Sequence, residues 1–95
     1  METYLRCRVT PGLFSGEVAV RGVDADGNDF SMFVSTDFVK LAGPLRQDRP
    51  VTGWLRVEVL SQPGERTLVR LPGQAFETGS TLAMDASQLE PGERK

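Results

Sequence analysis

The chain has 95 residues, of which 39% are hydrophobic and 25% are charged, and its formal net charge is −2. This length supports one hydrophobic core, and the composition is that of a folded domain, not of a disordered segment. The near balance of charges gives no global field that would attract nucleic acid or anionic lipid. No run of about 20 apolar residues and no secretory signal is visible, so we expect a cytoplasmic protein with no membrane partner.

The first half of the chain predicts three strands. Residues 3–10 alternate apolar and polar side chains, with Cys7 on the apolar side, as expected of a strand with one buried face. The alternation returns over residues 17–23 and again over residues 29–35, and the turn-forming residues 24–28 between them predict a hairpin. Residues 36–42 follow a serine and include Thr36 and Asp37, which predicts one short helical turn ending before Gly43-Pro44.

The second half predicts a longer connection and a second hairpin. Residues 44–53 contain two prolines and three charges, which is typical of a loop. Residues 54–61 and 66–71 alternate again around a Pro-Gly turn, and residues 80–85 predict a last short strand. A single turn over residues 86–89 then brings Leu89 against the core. We therefore expect one β domain over residues 1–89 and a frayed tail over residues 90–95.

These elements predict an all-β fold, a small antiparallel barrel or sandwich of five to six short strands with one short helical turn near residues 36–42. The segment GWLRVEVLSQPGERTLVRLPGQAFETGSTLAMDASQL, residues 53–89, is similar in its order of strands and turns to SH3-like barrels. The resemblance implies an SH3-like pattern in the C-terminal part and assigns no residue a role. Strand order, and whether the two hairpins share one sheet, stay open at this stage.

The residue inventory argues against catalysis and against metal binding. The chain has no histidine, the commonest general base and metal ligand, and its single cysteine, Cys7, is placed as a buried core residue. No phosphate-binding glycine loop occurs. Residues 24–29 are rich in aspartate, but the glycine and glutamate positions of a calcium loop are not matched, so they are interpreted as a hairpin turn. We expect no enzyme, no metal and no cofactor.

The residues that best suit a binding surface are arginines. Nine of the eleven basic residues are arginine, and five of them lie on predicted strands with their side chains directed away from the core. This candidate binding face consists of Arg6, Arg8, Arg21, Arg56 and Arg70, with Tyr4 and Trp54 nearby for stacking. Such a face suits phosphate, carboxylate or single-stranded nucleic acid. Alternatively, the arginines pair across strands with Glu17 and Glu58 and form an ordinary solvated surface.

The sequence does not establish a function. The hypothesis we carry forward is a non-enzymatic small β-barrel that binds another protein through the arginine face or the loop of residues 44–53. One alternative is an RNA- or ribosome-associated barrel that binds polyanions through the arginines, which would make binding depend on salt. Another is a structural protomer of a homo-oligomer, which would raise the particle mass above 10.4 kDa.

Overall fold

The computed structural model describes residues 3–62, 66–75 and 79–91 of the protein. These residues form eight strands and two short 3₁₀ turns, and the all-β prediction is confirmed. The elements in chain order are β1 (Thr3–Pro11), β2 (Glu17–Val23), β3 (Asp29–Ser35), η1 (Thr36–Phe38), β4 (Val39–Leu41), β5 (Val51–Ser61), β6 (Arg66–Ala75), β7 (Gly79–Asp85), η2 (Ala86–Gln88) and β8 (Leu89–Pro91).

The six longer strands are those that the alternation predicts, and the differences lie at their ends. The helical turn occupies only Thr36–Phe38, because the following residues pair with β5 as the short strand β4. Strand β5 begins at Val51, so the connection before it covers residues 42–50. The sequence predicts a frayed tail from residue 90, whereas Leu89–Pro91 pairs with β1 as β8. Residues 92–95 lie outside the described part of the chain.

All eight strands belong to one curled antiparallel sheet that forms a half-barrel. Its main path runs β3-β2-β1-β5-β6-β7, so both predicted hairpins share the sheet. One edge of β1 pairs with β5, and its other edge is divided between β8 at residues 3–5 and β2 at residues 8–11. Strand β5 is divided in the same way between β4 and β6.

The two halves of the chain are related by a twofold pattern in strand pairing, which we call the repeat relation. Leu5 lies opposite Leu55 at the centre of the sheet, and adding 50 to the residue numbers of β1 and β4 gives their counterparts in β5 and β8. Residues of β6 follow their counterparts in β2 by 49, because the register of β5 with β6 shifts between Val59 and Ser61. Thus Val39 pairs with Leu55, and Leu89 pairs with Leu5. Each half therefore gives its last short strand to the first strand of the other half.

The core lies on the concave side of the sheet and is made of the alternating apolar residues. Its members are Leu5, Cys7, Val9, Val18, Val20, Phe30, Met32, Val34, Leu55, Val57, Val69, Leu71, Leu82 and Met84. The turn between β2 and β3 contacts β7, at the other end of the strand path, where the Ala25 backbone N–H donates to the Ala83 carbonyl at 2.8 Å. None of the helical segments in the described ranges has the length or apolarity to cross a bilayer.

Candidate functional site

Three of the five strand arginines are engaged by neighbouring side chains. An Arg6 guanidinium nitrogen donates to a carboxylate oxygen of Glu90 at 3.2 Å. The guanidinium of Arg56 lies over the Phe38 ring, 5.1 Å from its centroid. Glu58, one of the two glutamates expected to pair with the arginines across strands, forms an exposed ion pair with Arg70 at an N–O distance of 3.5 Å.

The two aromatic residues expected to support stacking are also engaged. Tyr4 is only 8% exposed, and Lys40 Nζ lies 4.8 Å from the centroid of its ring. Trp54 is half-buried, and its indole N–H donates to Glu90 at 3.0 Å. A nucleic-acid base could stack on the Tyr4 ring only after the Lys40 contact was broken.

Arg8 and Arg21 differ from the other three arginines in their surroundings. They are register partners on β1 and β2, so two like charges face each other directly across the ladder. Both side chains are exposed, and no carboxylate of the described residues forms an ion pair with either one. Glu17, which the sequence offers as a partner, instead accepts a hydrogen bond from the Leu13 backbone N–H at 3.2 Å.

The two arginines line a shallow groove with a volume of about 220 Å³. The rest of its lining is Gly22, Val23, Asp29 and Pro50. Because Pro50 belongs to the connection 42–50, the predicted loop contributes one wall. Directly opposed like charges destabilise a sheet by roughly 0.2–1 kcal/mol, so this arrangement costs stability unless an anion is present.

The repeat relation provides an internal control for this groove. Position 58 corresponds to Arg8 and position 70 to Arg21, since Glu58 pairs with Arg70 as Arg8 pairs with Arg21. In the second half the first arginine is replaced by Glu58, which neutralises its neighbour. That ion pair lines a second, larger groove of about 540 Å³, whose walls include Phe38, Val59 and Leu71. The unpaired cationic groove is therefore not a requirement of the fold.

Sequence reasoning missed two residues at the turn between β1 and β2. Leu13 is 77% exposed and Phe14 is 72% exposed, the highest values among the large hydrophobic residues described. The turn that carries them is held by backbone hydrogen bonds, from Gly12 N–H to the Glu17 carbonyl at 3.1 Å and from Glu17 N–H to the Phe14 carbonyl at 3.2 Å. Gly16 has a φ of 81°, a left-handed conformation that favours glycine.

A signal for these residues was present in the sequence. Leu13 and Phe14 stand between Pro11-Gly12 and Ser15-Gly16, so the chain places two adjacent large apolar residues inside a turn. At the corresponding position, between β5 and β6, the sequence is SQPGER, which contains no large apolar residue. A hairpin at this place therefore does not need apolar side chains at its tip.

Other candidate chemistries find no site in the described ranges. The aspartate-rich turn is closed internally, because the Asp24 carboxylate accepts the backbone N–H groups of Asp26 and Asn28 at 2.9 Å each. No group of three or more metal-ligating side chains occurs among the described residues. Cys7 is buried in the core, and burial raises the pKa of its thiol to about 12.

Comparisons with protein-family models, with curated proteins and with solved structures find no match to this chain.

Proposed function

We propose that this chain is a non-enzymatic protein-binding module that contacts its partner with the β1–β2 hairpin. The observation that carries the proposal is the exposure of Leu13 and Phe14 on a turn held by its own hydrogen bonds. Enclosing a Leu or Phe side chain in an apolar pocket contributes roughly 1.5–3 kcal/mol relative to leaving it in water. Two such residues side by side are suited to anchor an interface.

The rigidity of the turn supports the same proposal. A loop that is already ordered loses little conformational entropy when a partner binds it. The Leu13 backbone N–H is held by the Glu17 side chain, and the Thr36 backbone N–H donates to the Gly16 carbonyl at 2.9 Å. The tip is therefore fastened both within the hairpin and to the segment that follows β3.

Binding of polyanions such as RNA is the second candidate, and Arg8 with Arg21 is the observation that favours it. Two adjacent cationic side chains attract phosphate, but non-specific RNA binding usually combines a cationic track with stacking platforms. Tyr4 and Trp54 are engaged by Lys40 and Glu90, which weakens that candidate. A protein partner would contact both the apolar tip and the arginines of the hairpin, so the protein-binding proposal accounts for both features.

The proposal is tested by selecting partners from a random 12-residue peptide library displayed on phage, with the folded chain as bait. Each enriched peptide is then titrated by fluorescence anisotropy against the wild type and against the double variant Leu13→Ser/Phe14→Ser. A matched control is Leu41→Ser/Leu60→Ser, which removes two apolar side chains that are 37% and 40% exposed elsewhere on the surface. Circular dichroism checks that every variant is folded.

We expect the turn variant to weaken binding by at least about tenfold and the control to leave it nearly unchanged, as one anchor contributes about 1.4 kcal/mol or more. Peptides that bind both variants alike, or a selection that enriches none, would overturn the proposed contact. A mass above 10.4 kDa in light scattering that reverts in the turn variant would favour the homo-oligomer instead. Binding of single-stranded RNA that falls steeply with salt would favour the polyanion alternative.

The similarity of residues 53–89 to SH3-like barrels and the cytoplasmic location stay predictions from the sequence. The proposed contact surface is the β1–β2 hairpin, which lies outside the SH3-like segment, so the proposal depends on neither prediction.

A further inference from the structure

We propose that the groove formed by Arg8 and Arg21 is a binding site for a single carboxylate group of a partner polypeptide. This inference names the chemistry that the partner would present and in that sense rests on the proposed function. Its physical basis is the pair of unmatched guanidinium groups in a defined concave site, and that basis is independent of the apolar tip.

The geometry of the site suits one small anion. Residues opposite each other in an antiparallel pair have Cβ atoms about 4.5–5.5 Å apart, so the two guanidinium groups can approach the same oxygen atoms from two sides. Guanidinium groups bind carboxylates through charge-assisted, often bidentate hydrogen bonds. The groove volume of about 220 Å³ holds such a group with part of the chain that carries it.

The charge of the lining selects a carboxylate over a phosphate monoester. Arg8 and Arg21 contribute two positive charges, and Asp29 in the same groove contributes one negative charge. The lining therefore carries one net positive charge. A carboxylate, with one negative charge, neutralises it, whereas a phosphate near its dianionic form would leave the site with a net negative charge. No ion pair joins Asp29 to either arginine, so the guanidinium groups stay available.

The other charged residues of this surface do not fill the site. Arg6, the next outward-facing residue on β1, is paired with Glu90, and the Glu17 carboxylate is held by the turn backbone. The corresponding position in the second half carries Glu58, which supplies from within the chain the carboxylate that the first half lacks. The Glu58–Arg70 pair is thus a model, inside the same molecule, for the contact that we propose with a partner.

The test is an NMR titration of the ¹⁵N-labelled protein with acetate at constant ionic strength, following the arginine side-chain Nε–Hε signals. Two further probes separate the possible sources of the carboxylate: an amide-capped peptide containing one glutamate, and an all-glycine peptide with a free C-terminus. Inorganic phosphate is titrated in parallel. The variants are Arg8→Ala, Arg21→Ala and Asp29→Asn, and Arg70→Ala is the matched control on β6.

We expect saturable shifts of the Arg8 and Arg21 signals. Each alanine substitution should weaken acetate binding about fivefold, Asp29→Asn should strengthen phosphate binding more than acetate binding, and Arg70→Ala should change neither. Shifts that do not saturate, or that are equal at Arg70, would overturn the site. Phosphate binding tighter than acetate in the wild type would overturn its carboxylate selectivity.

A last variant keeps this inference separable from the proposed function. Leu13→Ser/Phe14→Ser removes the apolar anchor and leaves the groove intact, so it should bind acetate like the wild type. Loss of peptide binding together with unchanged acetate binding would support both proposals. Normal peptide binding by Arg8→Ala and Arg21→Ala would show that the partner does not use the groove and would overturn the inference.

Discussion

Replacing Arg8 by glutamate should make the protein more stable while removing its anion site. The substitution installs at position 8 the residue that the repeat relation places at position 58. It converts an opposed pair of arginines into the arrangement already present as the Glu58–Arg70 ion pair on the neighbouring hairpin. Stabilisation by a substitution at a surface contact is uncommon, so the outcome tests the reasoning sharply.

The expected gain in the free energy of unfolding has two contributions. Removing a like-charge pair and adding an opposite-charge pair each contribute about 0.2–1 kcal/mol in an antiparallel ladder. Both groups are exposed, so solvent screening keeps the sum towards the lower end, and Asp29 in the same groove repels the new glutamate. We expect Arg8→Glu to stabilise the protein by about 0.5–1 kcal/mol at low ionic strength, which raises Tm by roughly 2–8 °C for a domain of this size.

The assay is thermal and urea unfolding of wild type and Arg8→Glu in about 20 mM and about 500 mM salt. The gain should shrink at high salt, because exposed charges are screened over a few ångströms there. Arg70→Glu is the mirror control: it opposes Glu58 with a second carboxylate and should destabilise the protein by a similar amount. A loss of stability in Arg8→Glu at low salt, or a gain that does not depend on salt, would refute the argument.

Three further predictions concern the core, a close backbone approach and the connection between the halves. Cys7 should resist thiol reagents in the folded protein, because it is buried. Burial also raises its pKa to about 12, so its contribution to the free energy of unfolding, measured with urea, should persist below pH 9 and decline as the pH rises towards 12. Gly53→Ala should destabilise by roughly 1–3 kcal/mol, since the new Cβ would lie 2.7 Å from a Val9 methyl, whereas Gly43→Ala meets nothing within 4 Å and should be nearly neutral in the same assay. A chain cut by a site-specific protease within residues 42–50 should remain one particle by light scattering, because the halves share the β1–β5 ladder and exchange their short strands; separation without denaturant would contradict this pairing.

The alternation of apolar residues predicted the six longer strands, because each one buries one face and a period of two is visible in a single sequence. It did not predict β4 and β8, which have three residues each and gain their pairing from the divided edges of β5 and β1. A strand that short has no period of its own. Its existence depends on a neighbour that is distant in sequence.

For the candidate binding face, too, the sequence predicted what depends on neighbouring residues and not what depends on strands distant in sequence. The sequence predicted that the five arginines would point outward, and the described strands place them on the outer surface, with Arg56 half-buried. Which of them have partners depended on β8, since Glu90 engages both Arg6 and Trp54. The sequence did contain one clue to this arrangement, the similarity of TYLRCRV at residue 3 to GWLRVEV at residue 53.

The exchange of short strands between the halves also determines how the chain could be reordered. Thr3 and Pro91 are register partners, so the first and last described residues lie side by side. In the same way, Leu41 and Gly53, on either side of the connection 42–50, are register partners. A circular permutant that joins residue 91 to residue 3 through a short linker, and that begins at residue 51 and ends at residue 41, would retain every strand pair. In such a permutant the groove of Arg8 and Arg21 would lie in the C-terminal half of the chain, and Pro50 would no longer form its wall.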